Sequence, residues 1–247
     1  MIRRRLVIRR RLAVLSLPVA LLVGGAVAVA AAGTASPALA GAAGSTGKHA
    51  LNGTFKLAPG ACFGDAVNGT YFRMIFPHGN VTTGQFFQNP DSTCPNKTFT
   101  LAVPGTQGGL ATGKYQPNPT PPFNAQGGAN ANLIVQPQSF TAINFSIATN
   151  KVDPQTGQHA PAPVIYDTNG KLSGQIEAWS AAWNKEYFNQ GSPKPNGSQP
   201  GLTKPLTGTY NAKTHQFVLT WTSQVVGGPF NGFTGDWHLS GTFEPAK

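Results

Sequence analysis

The sequence predicts an all-β chain, a single-domain antiparallel β-barrel or β-sandwich with long Pro/Gly-rich loops. Three observations carry that expectation. Thirty glycines and twenty-one prolines punctuate a chain in which only 11% of residues are charged, the composition of short strands joined by tight turns. A five-residue pattern, apolar-x-Gly-Thr-aromatic, recurs at residues 51–55, 67–71, 206–210 and 239–243, with a looser copy at 172–176. In each copy apolar residues stand at i and i+4 around a glycine, so one pleat face is apolar with a gap. Finally, helical periodicity over ten or more residues is confined to residues 174–188. There Trp179, Trp183 and Tyr187 fall at i, i+4 spacing, but a strand is preferred that puts Glu177, Trp179, Ala181 and Trp183 on one face.

Residues 1–40 read as a secretory signal: an arginine-rich start, an apolar stretch over 12–32, and a small-residue cleavage site ending at Ala40. An apolar stretch of about 20 residues also suffices to span a bilayer. Its alanines and glycines make it weakly hydrophobic, and with the cleavage site this favours export by either a Sec or a twin-arginine route. A free, secreted mature protein is expected, with no membrane attachment after cleavage. The formal charge of +10 changes meaning in that light. Arg3, Arg4, Arg5, Arg9, Arg10 and Arg11 hold six of the eighteen basic residues, so the rest of the chain sets twelve against eight acidic ones, a balance of +4. Arg73 is then the one arginine left for bidentate phosphate or base contacts, and nucleic acid is not expected as a partner.

Residues 41–50 are small and polar without an apolar period and are expected to form a disordered linker. Residues 51–247 form the single β domain. Strands are predicted at residues 71–76, 97–103, 132–135, 140–149, 174–183 and 216–226, besides the copies of the repeated pattern. Residues 207–211 and 216–222 form a hairpin around Ala212, Lys213 and Thr214. The recurring pattern is too irregularly spaced for a propeller or solenoid. Its internal glycines mark bulges, barrel corners or close approach of another segment. The first and last strands resemble each other, and pairing them would close a barrel or seal a sandwich. Loops are expected at 114–131 and 189–205. The second contains Gly191-Ser-Pro-Lys-Pro-Asn-Gly-Ser-Gln-Pro-Gly201, and loops of that length in a compact domain are commonly functional or mobile. Cys62 and Cys94, an even pair in an exported chain, are expected to form a disulfide.

The motifs of a nucleophile elbow, a zinc protease, a P-loop, a dinucleotide site and a calcium loop are absent from the sequence. His49, His78, His159, His215 and His238 are scattered without ligand spacing, so neither a metal nor another cofactor is expected. Of the eight carboxylates, Glu177 and Asp236 stand beside tryptophans that would raise a carboxyl pKa, which makes them the candidate catalytic pair of a glycan-cleaving hydrolase. Asp153 and Asp167 look like turn formers. Two runs rich in aromatics and amides are more informative, residues 179–190 and 226–238. Flat rings beside amide side chains suit sugars, whose C–H faces stack while their hydroxyls need planar donors and acceptors. Trp179, Trp183, Tyr187, Phe230, Asn231, Phe233 and Trp237 are therefore the candidate ligand-binding residues. Six Asn-x-Ser/Thr triplets, at Asn52, Asn68, Asn80, Asn96, Asn144 and Asn196, are read as the chance product of abundant Asn and Thr. The functional expectation is a secreted, non-catalytic binder of a polysaccharide or cell-surface glycan. A hydrolase and a structural or adhesive surface protein are its alternatives.

Overall fold

Four of the five copies of the repeated pattern contribute to strands and pair two by two, the copy at 172–176 with that at 206–210 and the copy at 51–55 with that at 239–243. A computed structural model describes residues 47–247, so the signal expected at 1–40 and residues 41–46 of the expected linker lie outside the described residues. In chain order the strands are β1 His49–Ala50, β2 Gly53–Leu57, β3 Ala61–Phe63, β4 Ala66–Asn68, β5 Tyr71–Asn80 and β6 Gly84–Phe86. Next come β7 Thr100–Leu101, β8 Gly109–Ala111, β9 Gln138–Phe140, β10 Ile143–Thr149, β11 Val164–Thr168 and β12 Lys171–Gln175. The last are β13 Trp179–Trp183, β14 Glu186–Asn189, β15 Lys204–Tyr210, β16 Gln216–Gln224 and β17 Thr234–Pro245. The described residues are all-β, as expected.

Most strands belong to one curled antiparallel sheet, running β1, β11, β12, β15, β16, β17, β2 and β8. Residues 49–57 supply one edge strand of it, β1, and the strand next to its other end, β2. Their first part pairs with β11 (His49 opposite Asp167) and their second with β17 (Phe243 opposite Phe55), so the first and last strands meet as expected. The paired chain thus starts two residues inside the expected linker, and Lys48 Nζ sits 4.0 Å over the Tyr166 ring. The first half of β17 pairs with β5, Asp236 lying opposite Arg73. A second sheet, in the order β14, β13, β10, β9, covers the curled one.

The recurring glycines explain the curl. A Cβ on Gly53, Gly174, Gly208 or Gly241 would run into the backbone carbonyl of Glu244, Val164, Val218 or Lys56 on the adjacent strand. The flanking apolar residues Leu51, Phe55, Leu172, Ile176, Leu206, Leu239 and Phe243 are buried, so the apolar face points inward where the strands crowd. Inside, Phe55 packs on Phe217 and Phe243 at 4.8 Å between ring centres. Burying one such side chain is worth about 1.5–3 kcal/mol. The copy at 67–71 differs: Gly69 lies in a turn with φ +77°, between β4 and β5.

Some boundaries depart from expectation for local reasons. Residues 140–149 split into β9 and β10 because Thr141 and Ala142 take positive φ (52° and 64°) and reverse the chain. Residues 174–183 split into β12 and β13, which lie in different sheets. A turn closed by Trp179 N–H to the Ile176 carbonyl (3.0 Å) separates them, with the Gln175 Oε1 accepting from Glu177 N–H (2.9 Å). The 97–103 strand shrinks to β7, and residues 132–135 form a single bridge, Val135 to Pro104. The hairpin of β15 and β16 is as expected, its turn held by the Asn211 Oδ1, which accepts from Lys213 and Thr214 N–H. Cys62 and Cys94 form the disulfide, tying the β3–β4 hairpin to the segment between β6 and β7.

Candidate functional site

The loop between β16 and β17 organises one end of the molecule. Gly227, Gly228 and Gly232 adopt φ of +84°, +64° and +85°, and the Asn231 Oδ1 accepts from Gly227 N–H at 2.7 Å, so the chain turns tightly over residues 226–233. That turn sends Phe230 back onto Trp183 (5.2 Å), Phe140 (6.0 Å), Phe188 (6.0 Å) and Phe233 (5.7 Å). Phe230 thereby plugs the opening between the two sheets. Beneath it lies a cavity of about 40 Å³ lined by Phe72, Met74, Phe145, Trp183 and Trp237, with Gln190 as its polar member. Such a space holds a water or two. It is far below the roughly 300 Å³ where ligand pockets begin.

The aromatic candidates separate accordingly. Trp179 and Trp237 are core residues, 1% and 6% exposed, and offer no face to a ligand. Trp179 meets Trp221 and Trp237 edge-on, and Trp221 stacks parallel to Trp237 at 5.9 Å. Gln190, from the amide-rich run, serves the indoles. Its carbonyl accepts from Trp221 Nε1 (2.9 Å) and its side-chain oxygen from Trp237 Nε1 (3.2 Å). Trp183 is half-buried with its Nε1 donating to the Phe140 carbonyl (2.8 Å), and Tyr187 is half-buried against Phe123 (5.1 Å). Phe233 is half-buried and packs at 5.1 Å on Phe76, itself 39% exposed, so a partly open aromatic ridge runs beside the plug. Asn231 is exposed, but its side chain is engaged by its own turn.

The two candidate carboxylates have different surroundings. One Asp236 oxygen takes both Nη2 (2.6 Å) and Nε (3.1 Å) of Arg73, whose guanidinium also lies 3.9 Å over the Phe86 ring. That charge is already matched. Glu177 is half-buried, and desolvation pushes its carboxyl above the usual range, with His159 pulling the other way. Among the described residues no three His, Cys, Asp or Glu side chains gather as a metal site.

Sequence reasoning missed a polar groove of about 300 Å³ between the 153–158 turn, the end of β14 and the loop after it. Its walls are Gln155, Thr156, Gln158, Asn189, Lys194, Asn196, Ser198 and the exposed Val226. Asp153, read from sequence as a turn former, does cap its turn: its Oδ2 accepts from Thr156 N–H (3.0 Å) and Oγ1 (2.7 Å). It is also 1% exposed, and its Oδ1 accepts from Asn189 Nδ2 at 3.0 Å. Lys194 folds under the loop. Its Nζ donates to the Asn189 carbonyl (2.6 Å) and to the Ser223 Oγ (2.7 Å), and burial draws its pKa down to about 8, Asp153 opposing that shift. Gln155 ties the groove to the aromatic loop, donating to the Val226 carbonyl (2.8 Å) and accepting from Asn189 N–H (2.7 Å). The signal within reach was the length and Pro/Gly content of the loop. Nothing local in Ser-Pro-Lys-Pro-Asn-Gly marks its lysine as buried.

No protein-family model, no curated protein and no solved structure matches the chain. No helix among the described residues is long and apolar enough to cross a membrane.

Proposed function

We propose that the chain is a secreted, non-catalytic binding protein for a polysaccharide or cell-surface glycan, held in the polar groove beside the aromatic ridge. The observation that carries the reading is the groove itself. The amide end of one aromatic run, the Pro/Gly-rich loop and the Val226 end of the other run converge on it. Its volume is that of a small ligand pocket. The exposed Gln158, Asn196 and Ser198 present amides and a hydroxyl there. Asn196 spends its oxygen on Ser198 N–H (3.0 Å), which leaves its NH2 group for a ligand. Four and seven residues along from Val226, the Phe230 and Phe233 rings supply edges and faces for C–H contact. The pairing of Asp236 with Arg73 weighs against the hydrolase alternative, which needs two unengaged carboxyls across a groove. Secretion rests on residues 1–40 of the sequence and agrees with the disulfide.

The test is retention of the mature protein on cellulose, chitin and cell-wall polysaccharide, together with a glycan array. Gln158→Ala combined with Asn196→Ala should abolish retention while leaving the thermal melt unchanged. Retention that survives this double change would move the site elsewhere, and a protein that retains on nothing would refute the reading.

A further inference from the structure

Lys194 stands out in the groove. It is only 7% exposed, yet both hydrogen bonds of its ammonium go to neutral acceptors, the Asn189 carbonyl and the Ser223 Oγ. An ammonium carries three N–H donors, so one is unspent. Among the described residues no carboxylate lies within 4.0 Å of the Lys194 Nζ. Asp153 is the charge that faces it, and that carboxylate already serves Asn189 through one oxygen and Thr156 through the other. A buried cation with neutral partners is costly, and an anion brought to it offsets that cost with a charge-assisted bond. The groove that Lys194 lines is where such an anion can enter.

We infer that the groove selects acidic glycans, the carboxylate of a uronic acid residue docking against Lys194 while Gln158, Asn196 and Ser198 take neighbouring hydroxyls. This rests on the glycan reading above and names its ligand class. At pH 7 the amine, with a pKa of about 8, still carries the charge that the carboxylate requires. The directional contact matters as much as the sign. A carboxylate oxygen accepts the spare N–H of Lys194 in a charge-assisted bond that the uncharged ester cannot match.

The experiment is isothermal titration at pH 7 and fixed ionic strength with oligogalacturonate and oligomannuronate, each beside its methyl ester of the same length. The parent protein should bind the free acids at least tenfold more tightly than the esters. In Lys194→Met that preference should vanish while a cooperative melt remains. Excess acetate distinguishes a free-carboxylate site from a uronic one, since it should compete only weakly. Equal affinity of the parent for acid and ester would overturn the inference, and so would a preference kept intact in Lys194→Met. Should Lys194→Met fail to fold, the acid-to-ester ratio of the parent decides alone. Binding confined to neutral glycans would sink the acidic selectivity and leave the glycan reading standing. Binding to neither class would end both.

Discussion

Replacing Lys194 by methionine isolates the energetic cost of the buried amine. In the unfolded chain a lysine titrates near 10.5, whereas here burial lowers the value to about 8. Between those two pH values the unfolded state binds more protons than the folded one, so stability rises with pH across that window. Each pH unit is worth about 1.4 kcal/mol, and the whole window about 3 kcal/mol. The upper end is shared with Tyr71, Tyr187 and Tyr210, whose pKa values burial raises and whose titration removes stability above about pH 10. The usable range is therefore pH 7.5 to 9.5, where Lys194 contributes about 2 kcal/mol. His238, whose pKa burial lowers, has finished titrating below that range. Both cysteines are paired, so no free thiol confuses the alkaline measurement. The assay is urea unfolding followed by fluorescence of the four tryptophans at each pH. The parent should gain about 2 kcal/mol from pH 7.5 to 9.5, and Lys194→Met should stay nearly flat. A parent that loses stability over this range, or a variant that gains as much as the parent, would refute the burial argument.

The close strand approach predicts that Gly208→Ala and Gly241→Ala each cost at least about 1–3 kcal/mol in urea unfolding, because the added carbon meets a backbone carbonyl rather than a movable side chain. An unchanged midpoint in both would contradict the crowding. Trp237→Ala should cost about 3–5 kcal/mol as a core truncation, and the half-buried Phe233→Ala clearly less, so a larger loss at Phe233 would reverse the two environments. Replacing both Cys62 and Cys94 by serine releases a crosslink spanning 32 residues and should lower stability by about 3–4 kcal/mol. Two free thiols in the native protein would remove the basis for that figure.

The inward strand faces were legible because their signal is local. Leu51 and Phe55, Leu206, and Leu239 and Phe243 alternate around a glycine, and period two alone assigns them to one face. The likeness of the first and last strands was enough to anticipate their pairing. Splits within segments were harder. Positive φ at Thr141 and Ala142 has no glycine or asparagine to announce it, so β9 and β10 read as one strand. The aromatic runs did not announce which of their rings would be covered. Trp179 and Trp237 are buried because tertiary structure brings them against each other and sets Trp221 on both and Phe72 on Trp237. The groove was the least legible part. Asp153, Asn189, Lys194 and Ser223 meet only through tertiary structure, and each alone is an ordinary turn, strand or loop residue.

Amide chemical-shift mapping of the isotopically labelled protein with a soluble oligosaccharide tests the central claim most directly. Titration should move the signals of Gln155, Gln158, Asn189, Lys194, Asn196, Ser198 and Val226 together, with one dissociation constant, and leave the β15–β16 hairpin turn at residues 211–215 untouched. Shifts confined to Phe76, Phe87 and Phe233, or the absence of saturable shifts with every oligosaccharide retained by the protein, would contradict a glycan site in the groove.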